Sequence, residues 1–510
     1  MFAKIKSYGL IGIEGYGLEV EIDINPGLPG YDVVGLADTA IKESKERVKS
    51  AIRNCAFNFP INKIIVNLAP AWTKKEGSMY DLPIAIGILV ANETIKQSMV
   101  EDYVILGELS LDGEVRKING VLPMLISAKQ QGFKKFIVPN DNKLEAAFIE
   151  GIEVYPVKTL REAVSFIMGE FKIENIETKS FDEVQKDIVL KDDFKYIKGQ
   201  NSAKRALEIA AAGGHNILMI GPPGAGKTMM AKAFNGILPS MSFEESLDVT
   251  KIHSVAGTLD EKSGIIVQRP FRSPHHTTTL IAMTGGGRNA KPGEVSMAHN
   301  GVLFLDELPE YNKNTLETLR QPMEDKTITI ARNMMTVSYP ADFILVGSMN
   351  PCPCGYYGST KVKCKCSSSQ IHNYLTKVSG PLMDRIDLHV EVEGIEYEEL
   401  SKRELEESSA EIKKRVNKAR EIQLKRYKGR NIYSNSNMGQ KELLEFCNLD
   451  EDCNNLIERA FKILNLSARA YSRILKVART IADLDGKENI ELPHIEEAII
   501  YRSLDKKYDA

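Results

Sequence analysis

The sequence predicts an α/β protein with a helical C-terminal part, on three observations. Short aliphatic runs at Lys63–Leu68 (KIIVNL), Asn216–Ile220, Gly301–Leu305 and Asp342–Gly347 have the length and content of buried strands. Helix-forming stretches such as Leu82–Ala91 and Met229–Asn235 alternate with them. From about Gly394 onward the pattern turns helical and charged. Leu405, Ile412, Val416, Ala419 and Ile422 recur at near-helical spacing through Glu399–Arg426, whose charges form a solvated face.

The chain has 510 residues, 43% hydrophobic and 26% charged, enough for about three domains and several cores. That composition excludes global disorder, a collagen-like fibre and a small disulfide scaffold. The net charge of −3 gives no global sign of a nucleic-acid partner, so any basic surface must be local. Charge divides the chain into a segment 1–168 of net −2, a stretch 169–195 of net −3, and a remainder of net +2. In segment 1–168, strands at Tyr103–Leu106 and Lys135–Val138 flank a helix at Leu122–Gln131, which predicts one α/β domain. The acidic stretch, with no Pro and one Gly, reads as a linker. An α/β core over 196–393 and a helical lid over 394–510 follow. No apolar run reaches the roughly 18–20 residues that span a bilayer, and the N-terminus lacks a signal core. The sequence therefore reads as cytoplasmic, with no membrane partner.

Gly221-Pro222-Pro223-Gly224-Ala225-Gly226-Lys227-Thr228 fits G-x-x-x-x-G-K-T between a strand and a helix, and Met229 opens that helix. Glycines let backbone N–H groups wrap phosphates, and the helix N-terminus adds a favourable dipole. ATP is the expected ligand, with Lys227 on the β/γ-phosphates and Thr228 on Mg²⁺. The strand Gly301–Leu305 ends in Asp306-Glu307, 79 residues after Lys227. An Asp there holds Mg²⁺ and the following Glu polarises the attacking water. The strand Asp342–Gly347 leads to Asn350, which either positions that water or simply turns the chain before Pro351.

These residues resemble AAA+ ATPases. By that resemblance Ile197, Gly199 and Gln200 touch adenine and Asn350 is sensor 1. Arg385, in Met383-Asp-Arg-Ile-Asp387, is an arginine finger reaching a neighbour's γ-phosphate; pairing with Asp384 or Asp387 is the alternative. Arg469 resembles sensor 2, with Arg473 and Arg479 competing on the same helix. A trans finger implies a ring, expected to be hexameric.

The resemblance narrows further. Arg269-Pro-Phe-Arg-Ser-Pro-His-His-Thr277, Gly285-Gly-Gly-Arg288, Pro292-Gly-Glu-Val-Ser296, Ala298–Glu307, Gly347–Gly355 and Ser379–His389 resemble the magnesium-chelatase-like ComM/YifB family nearly end to end. That family implies a hexameric AAA+ motor acting on branched DNA in natural transformation, with branch migration as its activity. A chelatase-type motor that remodels a protein partner is the runner-up.

Local charge adds its own argument for DNA, single-stranded or branched. Residues 262–293 carry five basic residues and no acid, and residues 343–383 carry four and no acid. Such segments suit a phosphate track, or they pair with acids elsewhere in the chain or on a neighbour. Hairpins are expected within 262–293 and over Thr327–Tyr339, with Arg269, Arg272, Arg288 and Arg332 as candidate DNA contacts.

Four of the seven cysteines, Cys352, Cys354, Cys364 and Cys366, match the ligand count of a structural zinc site. Their C-x-C spacing leaves free or redox-reactive thiols as the other reading. Segment 1–168 resembles a Lon-protease-type domain, with Asn67–Asp81 as the nucleophile loop and Gly107–Pro139 as the later strand–helix–strand. The nucleophile position falls on Met79, with Ser78 out of register. The activating lysine would fall in Gly120–Leu125, which has none. A Ser–Lys pair needs both groups, so a non-proteolytic scaffold is expected.

Overall fold

The computed structural model describes residues 1–185, 192–260, 262–287, 290–332, 335–359, 362–394, 397–401, 404–430, 432–464 and 466–504. Its N-terminal part is a mixed seven-stranded sheet. Strands Phe2–Ile11, Glu14–Asn25 and Lys63–Ala69 are antiparallel neighbours. Gly30–Val34 joins one edge in parallel, and Tyr103–Ile105, Lys135–Pro139 and Glu153–Val157 extend the other. The first two strands alternate buried and exposed residues, as a half-buried pleat requires. Helix Asp81–Ala91 is buried along its whole length. It fits under the sheet at Gly87, where a Cβ would come within 2.7 Å of Ile22.

The second sheet is a parallel five-stranded one. Its order is Phe271–Arg272, Val302–Leu305, Ile344–Met349, Ile217–Ile220, Leu388–Glu391. The Ile217–Ile220 and Val302–Leu305 strands are buried at every position, because helices and other segments cover both faces. One apolar cluster joins this sheet (Met219, Phe304, Val346) to the C-terminal helices (Val416, Ile474, Ala478, Ile481). Sheet and helical lid thus share a core.

The near-helical pattern over Glu399–Arg426 spans two helices among the described residues, Tyr397–Ser401 and Ser409–Arg426. Ser408 and Glu411 form a capping box that starts the second. Part of the linker docks on the first domain, through Ile176 N to Val154 O at 3.1 Å and Lys179 N to Ala147 O at 2.9 Å.

Candidate functional site: a phosphate cradle at the strand ends

The cradle lies where the Ile217–Ile220 strand meets helix Lys227–Ile237. Gly224 and Gly226 have φ of +78° and +87°, and nothing lies within 4 Å of where a Cβ would stand at either. The loop therefore opens its backbone toward solvent, as wrapping a phosphate requires. Gly221 is needed for the opposite reason: a Cβ there would meet the Val392 carbonyl at 2.1 Å. Pro222 is half-buried, Pro223 and Met229 are exposed, and Ala225 is buried beneath the loop.

Lys227 Nζ donates to the carbonyls of Gly221 (2.7 Å) and Pro222 (2.9 Å) and to Asn350 Oδ1 (3.2 Å). Burial pushes its ammonium below the usual lysine range, against the opposing pull of Asp306 and Glu307. An incoming polyphosphate would offset that desolvation with opposite charge. Thr228 Oγ1 donates to Asp306 Oδ2 at 2.8 Å, and Ser348 Oγ donates to Oδ1 of the same carboxylate. Hydroxyl and carboxylate together are the donor set a phosphate-bound Mg²⁺ takes, so the residues fit ATP and Mg²⁺.

Glu307 follows with φ +53°, a left-handed conformation that costs a non-glycine residue about 1–2 kcal/mol. Its exposed carboxylate lies 3.9 Å from His276 Nδ1. His276 in turn stacks on His275 and meets Tyr311 edge-on. Ser348 and His276 lie within motifs quoted above, but the sequence assigns neither a role in the site. A serine in an otherwise apolar strand was the available signal for the first.

The expected adenine segment sits beside the cradle. Ile197 is buried, Gly199 and Gln200 are left-handed, and Gln200 Nε2 donates to the Glu393 carbonyl at 2.6 Å.

The arginines are placed less simply. Arg385 is buried and bonds Glu324 (2.7 Å) and the Pro381 carbonyl (2.6 Å), rather than Asp384 or Asp387. With its side chain 6% exposed, a finger role needs Arg385 to leave Glu324 on assembly. Asp387 instead anchors three elements. It accepts from Asn216 N at 3.1 Å and pairs with Arg473 (3.1 Å) and His215 (3.4 Å). Burial alone would push its carboxyl up, but Arg473, His215 and Lys476 hold it well below the usual carboxylate range. Arg479 is buried against Asp483. Of the three sensor-2 candidates, Arg469 is the exposed one, with no ion-pair partner among the described residues.

Two candidate DNA contacts are held in internal pairs. Arg269 spends its N–H groups internally, on Pro239 O (2.6 Å), Asn300 O (2.7 Å) and both Glu245 oxygens (2.9 Å). Arg272 forms a two-point pair with Glu294 at 2.7 and 2.8 Å. Both acids lie outside the acid-free segment and offset two of its five cations in space. Arg288 lies outside the described residues. Arg332 ends the hairpin strand Thr327–Arg332, which pairs with Met335–Pro340. The other hairpin is a two-residue ladder, Gly285–Gly286 with Lys291–Pro292, and Tyr339 Oη donates to Ala290 O across to it at 2.9 Å. The turn at Gly12 packs on Val337 of the longer hairpin.

The four clustered cysteines are brought together, with their sulfur atoms within 4.8 Å of one another. At the position of a Lon nucleophile, Met79 is half-buried in apolar packing. Ser78 bonds the Glu108 carboxylate and Lys75 Nζ bonds the Pro70 carbonyl, so no Ser–Lys contact is formed there.

Family descriptions of the magnesium chelatase subunit ChlI match residues 193–400 and 20–142, and that of its C-terminal part matches 406–502. The chain is 43% identical over 497 residues to the uncharacterized protein YifB of Escherichia coli, covering 97% of this chain and 96% of that one. It is 41% identical over 508 residues to competence protein ComM of Haemophilus influenzae, covering 98% and 97%. A partial likeness, 33% over 184 residues (33% of this chain, 28% of the other), joins it to an archaeal Lon protease of Methanocaldococcus jannaschii. A phosphate cradle at the ends of a parallel sheet, a helical lid on the same core and these full-length similarities place the chain in the magnesium-chelatase-like AAA+ ATPase family of YifB and ComM, with a Lon-protease-like N-terminal domain.

Proposed function

We propose that the chain is an ATP-hydrolysing ring motor, hexameric when assembled, that moves along DNA and drives branch migration during natural transformation. The assembled cradle carries the hydrolytic half of this reading. Lys227 would neutralise the β/γ-phosphates, and Thr228 with Asp306 would hold Mg²⁺, which would supply charge neutralisation on the phosphates. Glu307 accepts a proton from the attacking water and Asn350 orients it. Arg385 exchanges Glu324 for a neighbouring subunit's nucleotide, and Arg469 acts from the lid.

The DNA half is supported by Lys262, Lys291, Lys363 and Lys365. All four are exposed, lie on the acid-free segments and lack an ion-pair partner among the described residues. Such cations release condensed counterions when they meet phosphates. Arg332, at the tip of the longer hairpin, joins them. The Haemophilus influenzae relative is named a competence protein, which points the same way. The N-terminal domain is a non-proteolytic scaffold, and the four-cysteine cluster holds a structural zinc. No helix among the described residues is long and apolar enough to cross a membrane, in keeping with action in the cytoplasm.

The second reading, a motor that remodels a protein partner, is favoured by the chelatase family matches. A fluorescent three-strand junction separates the two. Wild-type protein with ATP should move the branch, and Glu307→Gln should bind ATP and junction without moving it. A wild-type protein that hydrolyses ATP but leaves every junction in place would favour protein remodelling.

A further inference from the structure

We propose that the four-cysteine knot is a metal-dependent brace for the phosphate cradle, acting through Gly355 and Asn350. The inference rests on the zinc reading above and adds to it a consequence for nucleotide binding.

The knot has the geometry of a metal centre. Cys352 Sγ lies 3.4 Å from Cys354 Sγ and 3.8 Å from Cys364 Sγ, and the Cys354–Cys364 separation is 3.6 Å. A zinc–thiolate bond of about 2.3 Å sets sulfur–sulfur edges of about 3.8 Å in a tetrahedron. All four cysteines are free thiols, so no disulfide competes for them. Backbone N–H groups already point at sulfur. Tyr357 N donates to Cys352 Sγ at 3.3 Å and Cys366 N to Cys364 Sγ at 3.4 Å. Donors to sulfur are the outer contacts that stabilise metal-bound thiolate. A divalent cation with four thiolates would carry net charge −2, and Lys363 and Lys365 flank Cys364 in the sequence. Soft sulfur donors in this number select zinc over magnesium or calcium.

No regular element of its own frames the knot among the described residues. Between the strand ending at Met349 and the helix starting at Ser368, the described residues form no helix or strand. Turn bonds such as Gly355 N to Cys352 O (2.9 Å) are local. Yet this segment touches the cradle at several points. Gly355, with φ +85°, packs so closely on Pro223 that a Cβ would come within 2.5 Å of the proline ring. At the other end Met349 O accepts from Gly221 N at 3.2 Å, and Asn350 accepts from Lys227. Fixing four sulfur atoms on one ion therefore fixes the wall against which Pro223 and Lys227 are set.

The test uses the full-length protein purified under reducing conditions. Metal per chain is measured by mass spectrometry, and affinity for a fluorescent ATP analogue is measured three times: as purified, after a mercurial releases the metal, and after thiols and zinc are restored. Gly355→Ala, which keeps all four thiols, is measured beside the wild type, with circular dichroism to verify folding. The expected result is one zinc per chain in both proteins. Stripping the wild type should weaken nucleotide affinity by at least about fivefold, restored by zinc, and zinc-loaded Gly355→Ala should show a loss of similar size. Stoichiometric zinc with unchanged affinity on stripping would overturn the brace and leave the metal site standing. Protein without zinc would overturn the metal reading itself, and a Gly355→Ala defect in such protein would make the contact metal-independent.

Discussion

Replacing Arg269 distinguishes a structural arginine from a DNA-binding one. Its side chain is 12% exposed and Glu245 is 27% exposed, so the pair is largely shielded. Arg269→Ala removes the two-point contact to Glu245 and strands the Pro239 and Asn300 carbonyls. Breaking a buried, hydrogen-bonded charge pair costs about 3–5 kcal/mol, and the partial exposure of Glu245 places this case near about 3 kcal/mol. For an α/β unit of this size that lowers the melting temperature by about 6 °C. Arg269→Lys keeps the charge but not the planar fork and should lose much of the same stability. The assays are differential scanning fluorimetry and DNA-binding anisotropy over a range of salt. A phosphate-contacting arginine would take about one unit from the salt slope when removed. Arg269→Ala should melt early with an unchanged slope. An unchanged melt with a shallower slope would refute the reasoning.

Lys227→Ala should abolish hydrolysis and weaken nucleotide binding by at least about tenfold, read by a phosphate-release assay and analogue titration; surviving turnover would contradict the cradle. Arg385 is tested by mixing: Arg385→Ala and Lys227→Ala subunits, each inactive alone, should regain hydrolysis together, because each supplies what the other lacks at a shared interface. Failure to regain it would leave Arg385 as a partner of Glu324 only. Asp387 predicts an acid limb. Its carboxyl is held low in the fold, so its stabilisation is full above the unfolded value of about 3.9 and is lost as pH falls through the lower folded value. Asp387→Asn should lower stability near neutral pH by about 3 kcal/mol and flatten the decline below about pH 4, followed by fluorescence-detected unfolding.

What the sequence revealed tracks how local the chemistry is. The cradle, Asp306 and Asn350 are each written within a strand and the loop that follows it, so residue type and spacing were enough. The partners of Arg269 and Arg385 were not readable. Glu245 lies 24 residues upstream of Arg269, and Glu324 reaches Arg385 only because the fold returns there. Window counts of charge see segments free of acid and cannot see an acid arriving from another helix. The first two strands carried a legible signal that the fold exposes, since Lys4-Ile5-Lys6 and Glu19-Val-Glu-Ile-Asp-Ile24 alternate with period two. Likewise Ser408-x-x-Glu411 is a capping signature that marks the start of helix Ser409–Arg426. His215, Asn216 and Asp387 form a buried polar junction between strands and lid whose members are scattered in the chain.

The central claim is that this cradle is coupled to DNA. It is tested most directly by measuring ATP hydrolysis by the wild-type protein alone, with single-stranded DNA, with branched DNA and with an unfolded protein. Turnover should rise with DNA, most with the branched form, and the rise should shrink with added salt as the lysine contacts are screened. Stimulation by unfolded protein with none by DNA would contradict the account.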